Sequence, residues 1–273
     1  MRTVSEWSGV ISRIGDRNYL ADSMRRFPMD VHELPEEEGA LVIYLMSASP
    51  GLFNGDEEYI SCRLTKGAHL HLTTPAANEL HPSIYDGEES LQTQTFYLEK
   101  DSILEYLPEP MIPFRESNFN GMTSVYMSEG SQAIISEIVT AGRIGRNEIF
   151  QYKKYASTFE VYWEDQLEAL DRLVLDPKTE LTRKGIFGDY THLGTLWVLS
   201  EKVSREHLRR LQTTVLADLK TVDVYGTASL LQKNGLIIRL LGRNAQSLQK
   251  VMTACWDDLR GQLFEMNPLV LRK

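Results

Sequence analysis

Apolar and polar residues alternate with a period of two along most of this chain, in runs too short for helices. Such alternation places successive side chains on opposite faces of an extended strand. Strands are predicted at 7–14, 20–23, 40–46, 59–64, 68–73, 92–98, 124–127, 132–139, 149–155, 158–163 and 170–175. Turn chemistry separates them every eight to twelve residues or so, as in all-β bodies. Within the run 68–73, His69 and His71 share one face, and Ala68, Leu70 and Leu72 share the other.

Two segments break the pattern. Leu104 to Phe114 holds Pro108, Pro110 and Pro113, and proline removes a backbone donor, so a stiff, half-buried, extended ribbon carrying Glu105 and Glu109 is expected there. Leu34 to Gly39, with three consecutive glutamates, reads as a solvated loop.

The last third changes period. Leu208, Leu211, Val215, Leu216 and Leu219 recur at helical spacing behind Ser204, an N-cap residue, predicting a helix over 205–219. Leu248, Val251, Met252, Cys255, Trp256, Leu259 and Leu263 predict a second amphipathic helix. Between them Asn234-Gly235 predicts a type I′ hairpin. The fold class is therefore mainly β: a β-rich body, β-helical or layered in sheets, with two amphipathic helices in the C-terminal third. Residues 1–273 are expected to form a single domain.

Composition narrows the function classes. With 273 residues, 42% of them hydrophobic and 25% charged, the chain is an ordinary globular protein. A net charge of −9 argues against nucleic acid as a partner, because phosphate contacts need clustered Lys and Arg. No leader-like or membrane-length apolar run occurs, so a cytoplasmic protein without membrane attachment is expected. Cys62 and Cys255 are the two cysteines and form no CxxC pair, which excludes a thiolate zinc cage. Cys255, on the helix's apolar stripe, reads as packing.

Catalytic signatures are absent: no P-loop, GxGxxG, HExxH or GxSxG spacing occurs. Two chemical readings of the residues stay open. Asp56 and Glu105 offer a carboxylate pair for acid–base hydrolysis. His69 and His71, joined by Asp56 and with His81 nearby, offer imidazole and carboxylate donors suited to Ni²⁺ or Zn²⁺. Against this, histidines on a strand surface commonly bind nothing.

Several segments taken together resemble the urease accessory proteins of the UreD/UreH family. They are Trp7-Ser8-Gly9, Pro50 to Asp56, Gly67-Ala68 with Thr73 to Ala77, and Leu104 to Pro110 with Ile112-Pro113-Phe114. Glu137, Gly142-Arg143, Glu148-Ile149-Phe150, Arg239 and Arg260 follow in order. Pro50, Asn54, Pro75, Asn78-Glu79 and Asn147 depart from that pattern.

The resemblance implies a β-helical fold with a helix pair and a non-enzymatic role in urease maturation. It implies UreF, UreG and apo-urease as partners, and Ni²⁺ as a transient passenger with no tightly bound cofactor. Asp56, Glu105, Glu137 and Glu148 lie in the matched segments and are the candidate lining of a nickel route, while the family does not call for histidine at 69 and 71. The competing role is a purely structural adaptor, with the Pro108–Phe114 ribbon and the helix edge near Trp256 as contact surfaces.

Overall fold

In the computed structural model, which describes residues 2–82, 88–217, 219 and 223–269, the chain coils through two facing sheets. It opens with β1 (Val4–Ile14), β2 (Arg17–Arg26), β3 (Met29–Glu37) and β4 (Ala40–Ser47). Three similar turns follow. The first runs β5 (Leu52–Phe53), β6 (Glu57–Leu64), β7 (His69–Thr73). The second runs β8 (Asn78–His81), β9 (Ser90–Leu98), β10 (Ile103–Tyr106), and the third β11 (Met111–Pro113), β12 (Asn118–Met127), β13 (Gln132–Thr140). β6, β9 and β12 lie side by side and parallel in one sheet, and β4, β7, β10 and β13 do the same in the other. β5, β8 and β11 form a narrow third side. This is the β-helical alternative.

At the far end one more parallel strand, β14 (Lys154–Trp163) beside β12, is followed by antiparallel pairing. β14 and β15 (Gln166–Leu175) extend the first sheet, while β16 (His192–Leu199), β17 (Val224–Leu230) and β18 (Gly235–Gly242) extend the second. Helices α1 (Arg205–Thr213) and α2 (Ala245–Leu259) belong to the second sheet's outer side, where the apolar face of α2 is buried with Val42, Ile134, Leu196 and Ile238.

This layering explains why the strands read differently. The first sheet has water on its outer face, so β6 alternates between buried and less buried positions along its whole length. The second sheet is covered on both faces, by the first sheet and by α2, and all eight positions of β16 are buried. Between the sheets lies an apolar core that includes Ile11, Leu41, Leu64, Leu70, Leu98 and Val125.

Several local expectations change. Residues 104–106 are a central parallel strand, because the prolines at 108, 110 and 113 begin only after it. Pro113 takes the last position of β11. β3 runs on through Glu37, and the turn is confined to Glu38 and Gly39, both at positive φ. The segment 149–153 is not a strand. There Phe150 takes φ 52°, and pairing resumes at Lys154. α1 stops at Thr213, short of the predicted 219, and Asp218 lies outside the described residues. The 230–235 hairpin forms, but only Asn234 is left-handed, so the turn is not type I′. Asn54, one of the departures from the family pattern, has negative φ, and its side chain accepts a hydrogen bond from the Asn118 amide at 2.9 Å.

Candidate functional site: a polar cavity inside the coil

Register decides which side chains meet inside. Ser5, Glu58, Gln92, Gly121 and Ser157 are successive neighbours across the first sheet. Each shares the parity of apolar inner-face residues on its own strand: Trp7, Ile60, Phe96, Val125 and Phe159. The inner face is thus apolar at one end of the strands and polar at the other. At the polar end the sheets enclose a cavity of about 410 Å³, lined by Asp56, Glu58, Glu109 and Glu137, by Gln92, Gln94, Thr123 and Ser157, and by Tyr106 and Tyr155. It also reaches Pro28, Met29, Ser47, Ser49, the 74–77 loop and the start of β8.

The three inner carboxylates differ in how they are held. Asp56 fixes the turn before β6, accepting from the Thr3 amide at 2.8 Å and the Phe53 amide at 3.1 Å. Gly51 permits this turn: a Cβ there would stand 2.1 Å from the Glu79 carbonyl oxygen. Glu58 accepts from Gln92 Nε2 at 2.6 Å, and loss of hydration pushes its carboxyl above the usual range despite that bond. Glu137 accepts from the Tyr155 hydroxyl at 2.6 Å and Ser157 Oγ at 2.9 Å. It too is raised, by loss of hydration in the first place. Its strand is central in the sheet, so the surface it keeps exposed is the cavity's own. Trp197, also on the lining, is stacked on Phe159 at 4.1 Å and bounds the cavity on its apolar side.

Glu105 is elsewhere. On β10 its neighbours Leu104 and Tyr106 point into the coil, so Glu105 points out, under α2. There it accepts from His69 Nε2 at 2.6 Å, from Trp256 Nε1 at 2.5 Å and from Arg260. Burial pushes its carboxyl up, but the His69 hydrogen bond and the charges of His69, Arg260 and His71 outweigh that and hold it down to about 2. Arg260 also donates to the carbonyls of Asn267 and Glu38, tying the C-terminal segment and the β3–β4 turn to the same point.

The histidines share that outer side. His69 and His71 are both 1% exposed, so the expected strand surface is covered by α2, with the His71 ring 5.2 Å from that of Trp256. His81 sits on the third side, stacked on Phe53 at 4.5 Å. Asp56 lies inside the coil, so the imidazole–carboxylate set does not assemble, and among the described residues no three His, Cys, Asp or Glu side chains converge as a metal cage. The Asp56–Glu105 pair does not form for the same reason.

Glu148 lies outside as well, paired with Arg143 through two bonds of 2.6 and 2.5 Å. Arg143 in turn lies over the Phe114 ring at 4.0 Å. The turn that brings it round needs Gly142, where a Cβ would meet the Glu148 carbonyl oxygen at 2.1 Å. Of the four candidate carboxylates, the cavity takes Asp56 and Glu137. The motif reading missed Glu58, Gln92, Gln94 and Ser157, and did not count Glu109 as a site residue. The missed signal was a polar side chain in phase with an apolar face.

The sequence compares with known proteins as follows. The profile of the UreD urease accessory protein family matches residues 8–273. Proteins named urease accessory protein UreD from Acetivibrio thermocellus and Lachnoclostridium phytofermentans are 32% and 31% identical over 215 and 231 residues. These alignments cover 78% and 84% of this chain and 80% and 83% of the relatives. The Bacillus cereus protein of the same name is 29% identical over 81% of this chain and 79% of its own. With that match and the β-helical coil, the chain belongs to the UreD family of urease accessory proteins, which serve urease maturation.

Proposed function

We propose that this chain is a cytoplasmic scaffold that joins UreF and UreG to apo-urease and carries Ni²⁺ toward the urease active site through its interior. The observation that carries this reading is the cavity, whose carboxylates line its wall without any Lys or Arg among the lining residues. Ni²⁺ is cargo here. A cage of three or four ligands would hold it tightly, whereas single carboxylates backed by hydroxyls, amides and water let a cation step from one to the next. Asp56, Glu58 and Glu137 are the stepping points, and Glu109 stands at the rim, with its amide bonded to Thr74 Oγ1 at 2.9 Å. No covalent bond is made or broken.

The test separates transport from adhesion. Asp56→Asn, Glu58→Gln and Glu137→Gln, singly and together, are expected to leave UreF co-purification intact while lowering nickel content and activity of co-expressed urease. Full activation by the triple variant would leave only the adaptor role.

A further inference from the structure

Beyond Glu137 the polar lining does not end at the cavity. Glu137 on β13 is the register partner of Thr195 on β16, Thr195 of Arg239 on β18, and Arg239 of Thr227 on β17. Register partners share a face, so these four form a row across the second sheet's inner side, at about 4.8 Å per strand. Thr195 is 5% exposed, whereas Arg239 and Thr227 line a separate hollow that opens on the surface. The opposing sheet ends at β15, and from it Asp171 pairs with Arg239. The neighbours of that pair are apolar: Ala169 and Ile237 border the inner core on one side, Leu173 and Leu241 a second apolar cluster on the other. An ion pair thus stands where a hydrophobic seam would otherwise close the two sheets. Asp171 and Arg239 both bias the charge state of Glu137, which puts the pair within electrostatic reach of the cavity's inner end.

We propose that the cavity has a second mouth between β15 and β18, that Arg239 is its gate, and that Asp171 is the carboxylate a departing cation meets once Arg239 turns away. This rests on the conduit reading above and adds its direction and its exit. An arginine across the route blocks a divalent cation by charge and by size. A docked partner that offers Arg239 a carboxylate of its own frees Asp171 and opens the mouth. Arg239 positions and blocks; it does not carry the ion.

The experiment is thiol labelling in the full-length chain, with nickel transfer read separately. Thr195→Cys puts a thiol behind the gate and Thr227→Cys one outside it; Cys62 and Cys255 are both buried. With the trimethylammonium methanethiosulfonate reagent, Thr195→Cys is expected to react slowly in the parent and at least about tenfold faster with Arg239→Ala or Asp171→Ala. Arg239→Lys should keep it slow and Thr227→Cys should react fast throughout. Equal Thr195→Cys rates with and without Arg239 overturn the gate. If Arg239→Ala also exposes Cys62, the fold has loosened, and Asp171→Ala or Arg239→Met decides by the same criterion. Faster labelling in Arg239→Ala with unchanged urease activation in Asp171→Asn leaves the mouth standing and removes the nickel route. Unchanged labelling removes the mouth whatever activation does.

Discussion

Glu105 and Glu137 stand on adjacent strands of one sheet, yet they are held in opposite ways. Glu105 faces α2 and has an arginine, a histidine and an indole on its oxygens. Glu137 faces the coil interior and, among the described residues, accepts from two hydroxyls. The first is held down to about 2 and the second is pushed up. A carboxylate removed from water persists when its charge is answered. One whose charge is not answered attracts a cation, and its electrostatic cost is the mark of a site rather than of a joint. On the proposed conduit, the outer cluster serves stability and the inner one the passage of the cation.

The largest effect should follow from breaking the outer cluster. Glu105→Ala leaves Arg260 buried beneath α2 with its charge unanswered, which typically costs about 3–5 kcal/mol. Urea denaturation should show this as a fall in midpoint, and Glu105→Leu with Arg260→Met should recover most of it. Were Glu105→Ala to cost no more stability than Glu137→Gln, the distinction between the two faces would collapse.

Next comes the inner cluster. Glu137→Gln keeps the shape and the hydroxyl contacts but removes the charge, so fold stability at neutral pH should be equal or higher. Nickel loading of co-expressed urease should fall by about tenfold or more, the scale seen when a metal site's supporting groups are removed. A Tyr155→Phe change, which strips one hydroxyl from Glu137, should act in the same direction more weakly.

Much of this division was legible in the sequence and part was not. Period-two runs found most of the coil strands and the change of period found both helices, because burial on a sheet or helix face enforces those repeats. The ordered motifs named Asp56 and Glu137, which line the cavity. They equally flagged Glu105 and Glu148, since a carboxylate within a motif reads the same whether it meets a cation or an arginine. Which face Glu105 takes depends on its register against β7 and β13, a non-local fact. His69 and His71 were misplaced for the same reason: only the packing of α2 turns that face from surface to interior. Glu58 was within reach, standing in phase with Ile60, Cys62 and Leu64.

Titration should sharpen the comparison with opposite signs on the two faces. Glu58 and Glu137 have folded pKa values above their unfolded ones. Their contribution is therefore fully present below the unfolded carboxyl value of about 4.3 and is lost as pH rises through the folded values. Glu105 has the reverse shift, so its contribution is present at neutral pH and is lost as pH falls toward about 2. Each pKa unit corresponds to about 1.4 kcal/mol. The Glu58→Gln, Glu137→Gln double variant should gain on the wild type as pH is raised from about 4 to about 8. The deficit of Glu105→Gln should shrink as pH is lowered. Parallel curves for both variants would mean the two faces are electrostatically alike.

The smallest effect belongs to Glu148, the candidate on neither face. Its carboxylate is answered by Arg143 in a half-buried pair at the edge of the loop, where water still screens part of the charge. Because Gly142 and the backbone already force the turn, the bonds to Arg143 are a consequence of the loop's shape more than its cause. Glu148→Gln should therefore leave nickel loading of urease at the wild-type level and shift the denaturation midpoint only slightly. A loss of loading comparable to that of Glu137→Gln would extend the cation's path out of the coil along the third side. The interior cavity would then no longer mark where charge matters.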